Sequence, residues 1–331
     1  MITIKDVARH AGVSITTTSY ALNGKGMISE STRKRVLESA ESLNYHPNAF
    51  ARNLKKQKTL TIGVFISRFG GSFYEDILEG IHSVILQTDY ELLVCPETHT
   101  THKILTQRQV DGAIIFDSKI NSGMILRLVS DSFPIVCLDR NLIADRLLSL
   151  LVDNQHGAME VFDHLYNQGA RKFAYLAGAV DSQDNTERMR AFTNQASKHS
   201  LDVTCHQGNF TEDSGYAVGE KLILQRELPE AILCANDQMA IGFMRALKEH
   251  SIQAPNDILV VGFDDIPLSR YMQPSLTTVS ASRHAWGAEA ATQLIGYLVH
   301  GTPFRSSRIP VQLIQRESSS RNHKNHKARL D

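Results

Sequence analysis

From Leu60 onward the chain repeats one alternation: a short apolar run, then a longer stretch with apolar residues at helical spacing. The runs TLTIGVFIS, ELLVC, GAIIF, PIVCLD, KFAYLAG, DVTCHQG, AILCAN and DILVVGFD have the length and the β-branched content of strands. Helical spacing fills Phe73–Thr88, Ser122–Asp131, Asn154–Gln168, Thr186–His199, Thr211–Gln225 and Asp237–His250. Strands that are apolar throughout must be covered on both faces, and parallel neighbours need a crossover, usually helical, between them. The alternation therefore predicts an α/β fold of doubly wound parallel sheets, with enough strands for two lobes.

The first sixty residues follow a different pattern. Ile4, Val7, Ala8 and Ala11 share one face at helical spacing, behind Thr3 and Asp6 as a capping-box-like start. Gly12 stops that helix, Ser14 caps a second, and Thr18, Ala21 and Leu22 face inward before Gly24. Two short helices joined by a glycine turn predict a helix-turn-helix, whose second helix fits a DNA major groove. That helix presents Ile15, Thr16 and Tyr20 together, with Thr17, Ser19 and Asn23 on its flanks where short polar groups reach phosphates. Ser29 and Ser31 compete to cap a third helix with Val36, Leu37, Ala40 and Leu43 inward.

Charge supports a nucleic-acid partner for this segment. The whole chain carries 35 basic and 35 acidic residues. Residues 1–58 nevertheless hold an excess of six positive charges, and the remainder an equal negative excess. A basic head on an acidic body is the footprint of a DNA-binding domain tethered to another function. Tyr45–Lys58, with a short helix over Asn48–Lys55, is expected to be a hinge that orders on DNA.

The words IKDVARHAGVS, TTSYALNGKG and LNYHPNAFARNL resemble the LacI/GalR family of bacterial transcription regulators, and SFYEDILEGI, VDGAIIFD, VDNQHGA, ERMRAF, CANDQMAIGFMRAL and VVGFDDIPLSRYMQPSLTTV continue the likeness. The resemblance runs from Thr3 to about Ser318. It implies a helix-turn-helix head followed by a two-lobed core like the periplasmic sugar-binding proteins, with chain crossings between lobes near His156, Val279 and Arg308. The implied DNA-contacting set is Thr3, Ser14, Ile15, Thr16, Thr17, Ser19, Tyr20, Asn23, Asn48, Ala51 and Leu54, with Leu54 as the family's minor-groove wedge. Tyr20 departs from the pattern, since many members carry arginine there, and the bidentate guanine contact of arginine is lost with it.

The resemblance also implies an effector site. Arg188, Asn236 and Asp264 match positions that bond effector hydroxyls, Phe210 a stacking aromatic, Phe73 a pocket wall, and Asp153 a less constant polar position. Phe73 and Tyr74 both follow the first strand run. From the residues alone Asn236 is equally a helix cap, Asp264-Asp265 a turn, and Phe210 a core residue. Carboxylate and guanidinium groups beside an aromatic face suit a sugar or sugar phosphate. Between Cys95 and Val110 the chain is shorter than the family pattern, so a stunted helix is expected.

These readings point to a homodimeric repressor of carbohydrate-utilisation genes with operator DNA and a small sugar effector as partners. Two alternatives use the same fold: a global regulator with a phosphorylated carrier protein as corepressor, or a sugar-binding protein without gene regulation. Phosphate-loop, dinucleotide, GxSxG and HExxH motifs are absent from the sequence. No enzyme activity, cofactor or metal site is expected. The polar start MITIKDVARH does not read as a secretory signal, so a cytoplasmic, nucleoid-associated protein is expected. The expected domains are residues 1–58 for head and hinge, 59–318 for the core, and 319–331 for a disordered polar tail.

Overall fold

The computed structural model describes residues 2–24, 26–46, 58–69, 72–97 and 101–321. They form two compact units, one up to Thr59 and one from Leu60 onward.

The first unit contains three helices, α1 (Ile4–Ala11), α2 (Ile15–Leu22) and α3 (Glu30–Ser42). Thr3 starts α1 by donating both its backbone N–H and its hydroxyl to the Asp6 carboxylate, at 3.0 and 2.7 Å. Those two bonds hold the Asp6 carboxyl below its ordinary range. Gly12 ends the helix at φ 64°, a left-handed conformation that glycine adopts without steric cost. Ser14 accepts from the Thr17 N–H at 3.0 Å to open α2, and Ser29, not Ser31, caps α3. Val7, Ala11, Ala21, Val36 and Ala40 make the core, with Leu43 and Tyr45 packed on it. Thr18 is fully buried on the same side, its hydroxyl satisfied by the Ser14 carbonyl at 3.0 Å.

The second unit has two lobes. Lobe 1 is a parallel sheet in the order β2-β1-β3-β4-β5, from β1 (Thr61–Ile66), β2 (Glu91–Pro96), β3 (Gly112–Phe116), β4 (Ile135–Cys137) and β5 (Leu147–Ser149). Its helices include α4 (Ser72–Ile85), the six-residue α5 (Thr101–Thr106) and α6 (Ser122–Leu128). The chain leaves it through β6 (Leu151–Val152) into α7 (Asn154–Asn167). Lobe 2 is a parallel sheet in the order β10-β9-β7-β8, from β7 (Phe173–Ala177), β8 (Val203–Gln207), β9 (Ala231–Cys234) and β10 (Leu259–Val261). Helices α8 (Gln183–Lys198), α9 (Glu212–Gln225) and α10 (Asp237–Glu249) connect its strands, and the short α11 (Leu268–Tyr271) follows β10.

Strand β11 (Thr278–Ala281) then returns the chain to α12 (Arg283–His300), which packs on α4 in lobe 1. Finally β12 (Arg308–Ile309) pairs with β6, and β13 (Val311–Ile314) pairs antiparallel with β11. These three crossings fall beside the positions expected from the sequence.

The same device joins the main helix pair of each lobe. A β-carbon on Gly80 or on Gly287 would overlap a carbonyl oxygen of the facing helix, so α4 and α12 touch backbone to backbone. Gly215 and Gly242 do the same for α9 and α10.

Several local expectations are corrected. Helix α8 begins at Gln183, three residues before the expected Thr186, because Ser182 caps it by accepting from the Asn185 N–H. Helix α6 stops at Leu128 because Val129 turns extended and Ser130 bridges to Phe133. The core does not end at Ser318: Ser319 is fully buried, its hydroxyl donating to Thr277 Oγ1 at 2.7 Å and facing His164 Nε2 at 2.8 Å. Ser318 and Ser319, in a run that reads as polar tail, thus belong to an interior hydrogen-bond network, while Ser320 is exposed and the Arg321 N–H donates to Gln168 Oε1 at 3.0 Å. The rest of the expected tail lies outside the described residues. All four cysteines are free, and Cys205 is exposed on the edge strand β8 while the other three are buried.

Candidate functional site

The head offers one face of α2. Ile15 and Tyr20 are each 46% exposed on this face. Thr16 is exposed beside them. Among the described residues, neither the Thr16 hydroxyl nor the Tyr20 phenol has a hydrogen-bond partner. The Tyr20 ring lies against Gly26, where a β-carbon would come within 2.8 Å of it and where φ is 81°. The flanking polar groups are already engaged locally. Thr17 Oγ1 lies 2.9 Å from Ser14 Oγ, and the Asn23 amide donates to the Ser19 carbonyl at 2.7 Å. Thr3 is held by Asp6 as described. Asn48, Ala51 and Leu54 lie outside the described residues.

The second unit holds a cavity of about 1090 Å³ between its lobes. It lies beyond the carboxyl ends of the strands, where open α/β sheets bind ligands. Phe73, Tyr74, Arg188, Phe210, Asn236 and Asp264 all line it. Asp153 does not. It caps α7, accepting from the His156 N–H at 3.2 Å.

Arg188 forms the floor. It is 5% exposed, reached early in α8, and its Nε donates to Asn154 Oδ1 at 2.7 Å while Nη1 donates to the Ala235 carbonyl at 2.5 Å. Its guanidinium stacks 3.7 Å from the Phe263 ring centre and lies 3.6 Å from the Asp264 carboxylate. The Asn154 amide also donates to Asp184 at 2.7 Å, so one side chain ties the arginine to a second acid. Burial pushes Asp264 up to about 6, against the pull of Arg188 and Arg283. Burial raises Asp184 as well, opposed by Arg188.

Two wall residues carry unusual backbone. Phe210 has φ 68° and Asp264 φ 110°, conformations that cost of order 1–3 kcal/mol and cluster at ligand sites. The Phe210 ring covers Gly178, where any β-carbon would collide with it. Asn236 is both cap and wall: Oδ1 accepts from the Met239 N–H at 3.0 Å, and Nδ2 donates to the Phe210 carbonyl at 3.1 Å. The turn after β10 is pinned by Asp237, which is fully buried and accepts from Ile266 N–H, Ser269 Oγ and Thr278 Oγ1.

Lobe 1 supplies an aromatic wall. The rings of Phe73, Tyr74 and Phe116 meet edge-on at 5.5–5.6 Å, and Trp286 backs Phe116 at 5.3 Å. Burial raises the Tyr74 phenol. Phe116, the Asp139–Arg140 pair, Gln183 and Asp184 also line the cavity and were missed in the sequence. A signal for the last two existed in Ser182, whose spacing to Asn185 fits an N-cap. Together the walls offer bidentate groups, amides and aromatic faces. These are complementary to a polyhydroxylated ring, whose C–H face stacks on aromatic carbon.

Comparison with known proteins agrees with this architecture. Residues 3–48 match the bacterial regulatory proteins of the lacI family, and residues 162–319 match the periplasmic binding protein-like domain. The chain is 33% identical over 288 residues to a protein named probable HTH-type transcriptional repressor ExuR from Bacillus subtilis (strain 168), covering 84% of this chain and 86% of the relative. It is 30% identical to catabolite control protein A of Priestia megaterium, covering 90% and 92%. Among solved structures, the lac repressor dimer bound to operator and the anti-inducer ONPF aligns with a TM-score of 0.82 at 27% identity, over 96% of this chain and 99% of that one. A sugar-binding transcriptional regulator of the LacI family from Enterococcus faecalis aligns with a TM-score of 0.74 at 34% identity, over 80% and 99%. The chain belongs to the LacI family of bacterial regulatory proteins and is a DNA-binding transcription regulator.

Proposed function

We propose that this regulator is a homodimeric repressor whose hold on a two-fold operator is set by a small sugar-type ligand in the inter-lobe cleft. Ile15, Thr16 and Tyr20 read bases in the major groove, and Thr3, Ser14, Thr17, Ser19 and Asn23 position the helix on phosphates. Arg188, Asp264 and Asn236 bind ligand hydroxyls while Phe210 and the Phe73–Tyr74 wall cover the ring. The observation that carries this reading is that the cavity takes its lining from both lobes. A ligand touching both lobes has different affinity for different lobe arrangements, and only such a difference shifts an equilibrium. The change reaches the head through the expected hinge at residues 45–58. The lac repressor in its operator complex is a dimer, and the transcriptional regulator CelR has been seen with cellobiose.

The test is operator affinity measured against added neutral sugars, sugar acids and sugar phosphates, in the parent and in Arg188→Ala and Asp264→Ala. Coupling on the order of 1–3 kcal/mol changes operator affinity by roughly 5–150-fold. Both variants are expected to keep operator binding and lose the ligand response. An Arg188→Ala protein that responds at the parent's ligand concentration overturns the assignment of the cleft.

A further inference from the structure

The cavity walls carry opposite charge. Lobe 1 lines it with Arg68, Lys119 and Arg140 against the single acid Asp139. Lobe 2 lines it with Asp181, Asp184 and Asp264 against the single cation Arg188. A neutral sugar has no use for this separation, because its hydroxyls donate and accept on every side.

Two of the three lobe 1 cations are tied back. Arg140 makes a bidentate pair with Asp139 at 2.6 and 2.9 Å, and its remaining donors go to the Asp117 and Ile120 carbonyls at 2.5 and 2.6 Å and to Ser122 Oγ. Lys119 is held by Glu97. Arg68 has neither an ion pair nor a hydrogen bond among the described residues. Its charge favours the ionised Tyr74 phenol, against the burial that raises it. Arg68, Tyr74 and Ser67 all line the cavity. A guanidinium with open donors, a phenol and a hydroxyl thus line the cavity from the lobe 1 side, while the carboxylates of lobe 2 line it from the other.

From this arrangement, and resting on the reading of the cleft as the effector site, we infer that the effector is a sugar acid: a polyhydroxy ring or chain bearing one carboxylate, bound with that carboxylate at Arg68 and Tyr74 and its hydroxyls at Arg188, Asn236 and Asp264. Orientation follows from repulsion as much as attraction. An anion turned toward lobe 2 would meet Asp184 and Asp264, and like charges side by side in a partly desolvated cleft are strongly disfavoured. One open cation matches one negative charge. A phosphate ester, carrying nearly two at neutral pH, would leave charge uncompensated in front of those acids.

The experiment uses the full chain and its own reporter. Trp286 is the only tryptophan and packs on Phe116, a cavity residue. Its fluorescence, backed by calorimetry, is followed on titration with D-glucuronate, D-galacturonate and D-gluconate, with D-glucose and D-galactose, and with the 6-phosphates of both hexoses. At least one acid is expected to bind about ten-fold or more tighter than its neutral parent sugar, the scale of one hydrogen bond to a charged group. Arg68→Gln is expected to remove that preference, the acid losing more affinity than its neutral parent, and Arg68→Lys to retain part of it. Arg68 is exposed, so neither variant disturbs the core. The inference is overturned if no acid exceeds its parent sugar, if a 6-phosphate exceeds every acid, or if Arg68→Gln keeps the acid preference. Operator affinity measured on the same samples separates the two levels. Neutral sugars that bind and change operator affinity while acids do not would remove the carboxylate assignment alone. A response that survives Arg188→Ala would remove the cleft assignment itself.

Discussion

Arg283, on the first turn of α12 in lobe 1, donates to the backbone carbonyl of Asp264 at the end of β10 in lobe 2, while its other nitrogens hold Asp76 at 2.7 and 3.0 Å. One buried side chain therefore fastens the lobe 1 helix pair to the turn that presents the Asp264 carboxylate. Asp76 is half exposed, so the ion pair itself contributes little. The carbonyls of Asp264 and of Asp265, the latter 3.3 Å from Nη2, matter more, because Arg283 is 8% exposed and its removal leaves them without this donor. Arg283→Met is expected to lower stability by about 1–3 kcal/mol, the cost of leaving buried acceptors unsatisfied. Urea unfolding measures this, and ligand affinity should fall in the same protein. An unchanged midpoint would show that the carbonyls find other donors.

Tyr20 is exposed, its phenol has no hydrogen-bond partner among the described residues, and it is proposed to read a base. Replacing it with Phe or Arg should change which operators are preferred, by about 1–3 kcal/mol at one base pair. Competition binding over an operator library resolves the effect. Equal weakening on every sequence would make Tyr20 a phosphate contact instead.

The buried Asp237 makes stability depend on pH. Burial and the neighbouring Asp264 push its carboxyl from 3.8 up to about 7, despite three donors. In the unfolded chain the group stays ionised down to about pH 4. Across the window between those values folding takes up a proton, so this group adds stability as pH falls and loses it as pH rises through 7. Asp264, raised to about 6, acts in the same direction. The parent's urea midpoint should therefore rise relative to that of Asp237→Asn between about pH 7.5 and 5.5. Parallel midpoints across that range would place the proton elsewhere.

Two glycines on α12 should respond oppositely to alanine. At Gly287 the new methyl group meets the Ile77 carbonyl, and overpacking of this kind costs typically about 1–3 kcal/mol. At Gly296 the nearest heavy atom is 3.8 Å away, and the helical backbone suits alanine. Gly296→Ala should stabilise by about 0.4–1 kcal/mol, by restricting the unfolded chain. Thermal unfolding of the two variants gives the comparison, and a loss at Gly296 would contradict it.

The fold was legible because its signals are local. Strand runs, the Thr3–Asp6 start, Gly12 and Ser14 all act within one or two turns of chain. The site was legible only in part. Asn236 shows why: it reads as a cap, and it is a cap, yet its second amide function belongs to the wall beside Phe210. Residue type gave no way to separate those roles, and the family likeness did. Asp184 and Gln183 are not legible because the apolar helical spacing begins only after them, at Thr186, while the cap that starts the helix is Ser182. Asp139 and Arg140 close a strand run and look like its polar end. Asp139 pairs with Arg140, whose other donors go to carbonyls some twenty residues away, which no spacing rule reaches. Asp153 failed for the opposite reason, since its position suggested the cleft while its carboxylate is consumed by its own helix.

The routing of the last fifty residues has a consequence for the order in which the chain can fold as it is made. Helix α12 supplies Trp286, Ala290, Ala291 and Leu294 to the same core as Ile62, Ile77 and Ile81, yet the ribosome makes it after every strand of lobe 2. Lobe 2 also waits, because Ser318 accepts from the Thr277 N–H at 2.9 Å and donates to the Val260 carbonyl at 2.6 Å. Until Arg283 and its successors emerge, the stripe of α4 around Gly80 has no facing helix, although Ile77 and Ile81 already have the lobe 1 strands to pack on, and an interrupted nascent chain leaves that stripe bare. The head, whose core closes by Tyr45, has no such wait.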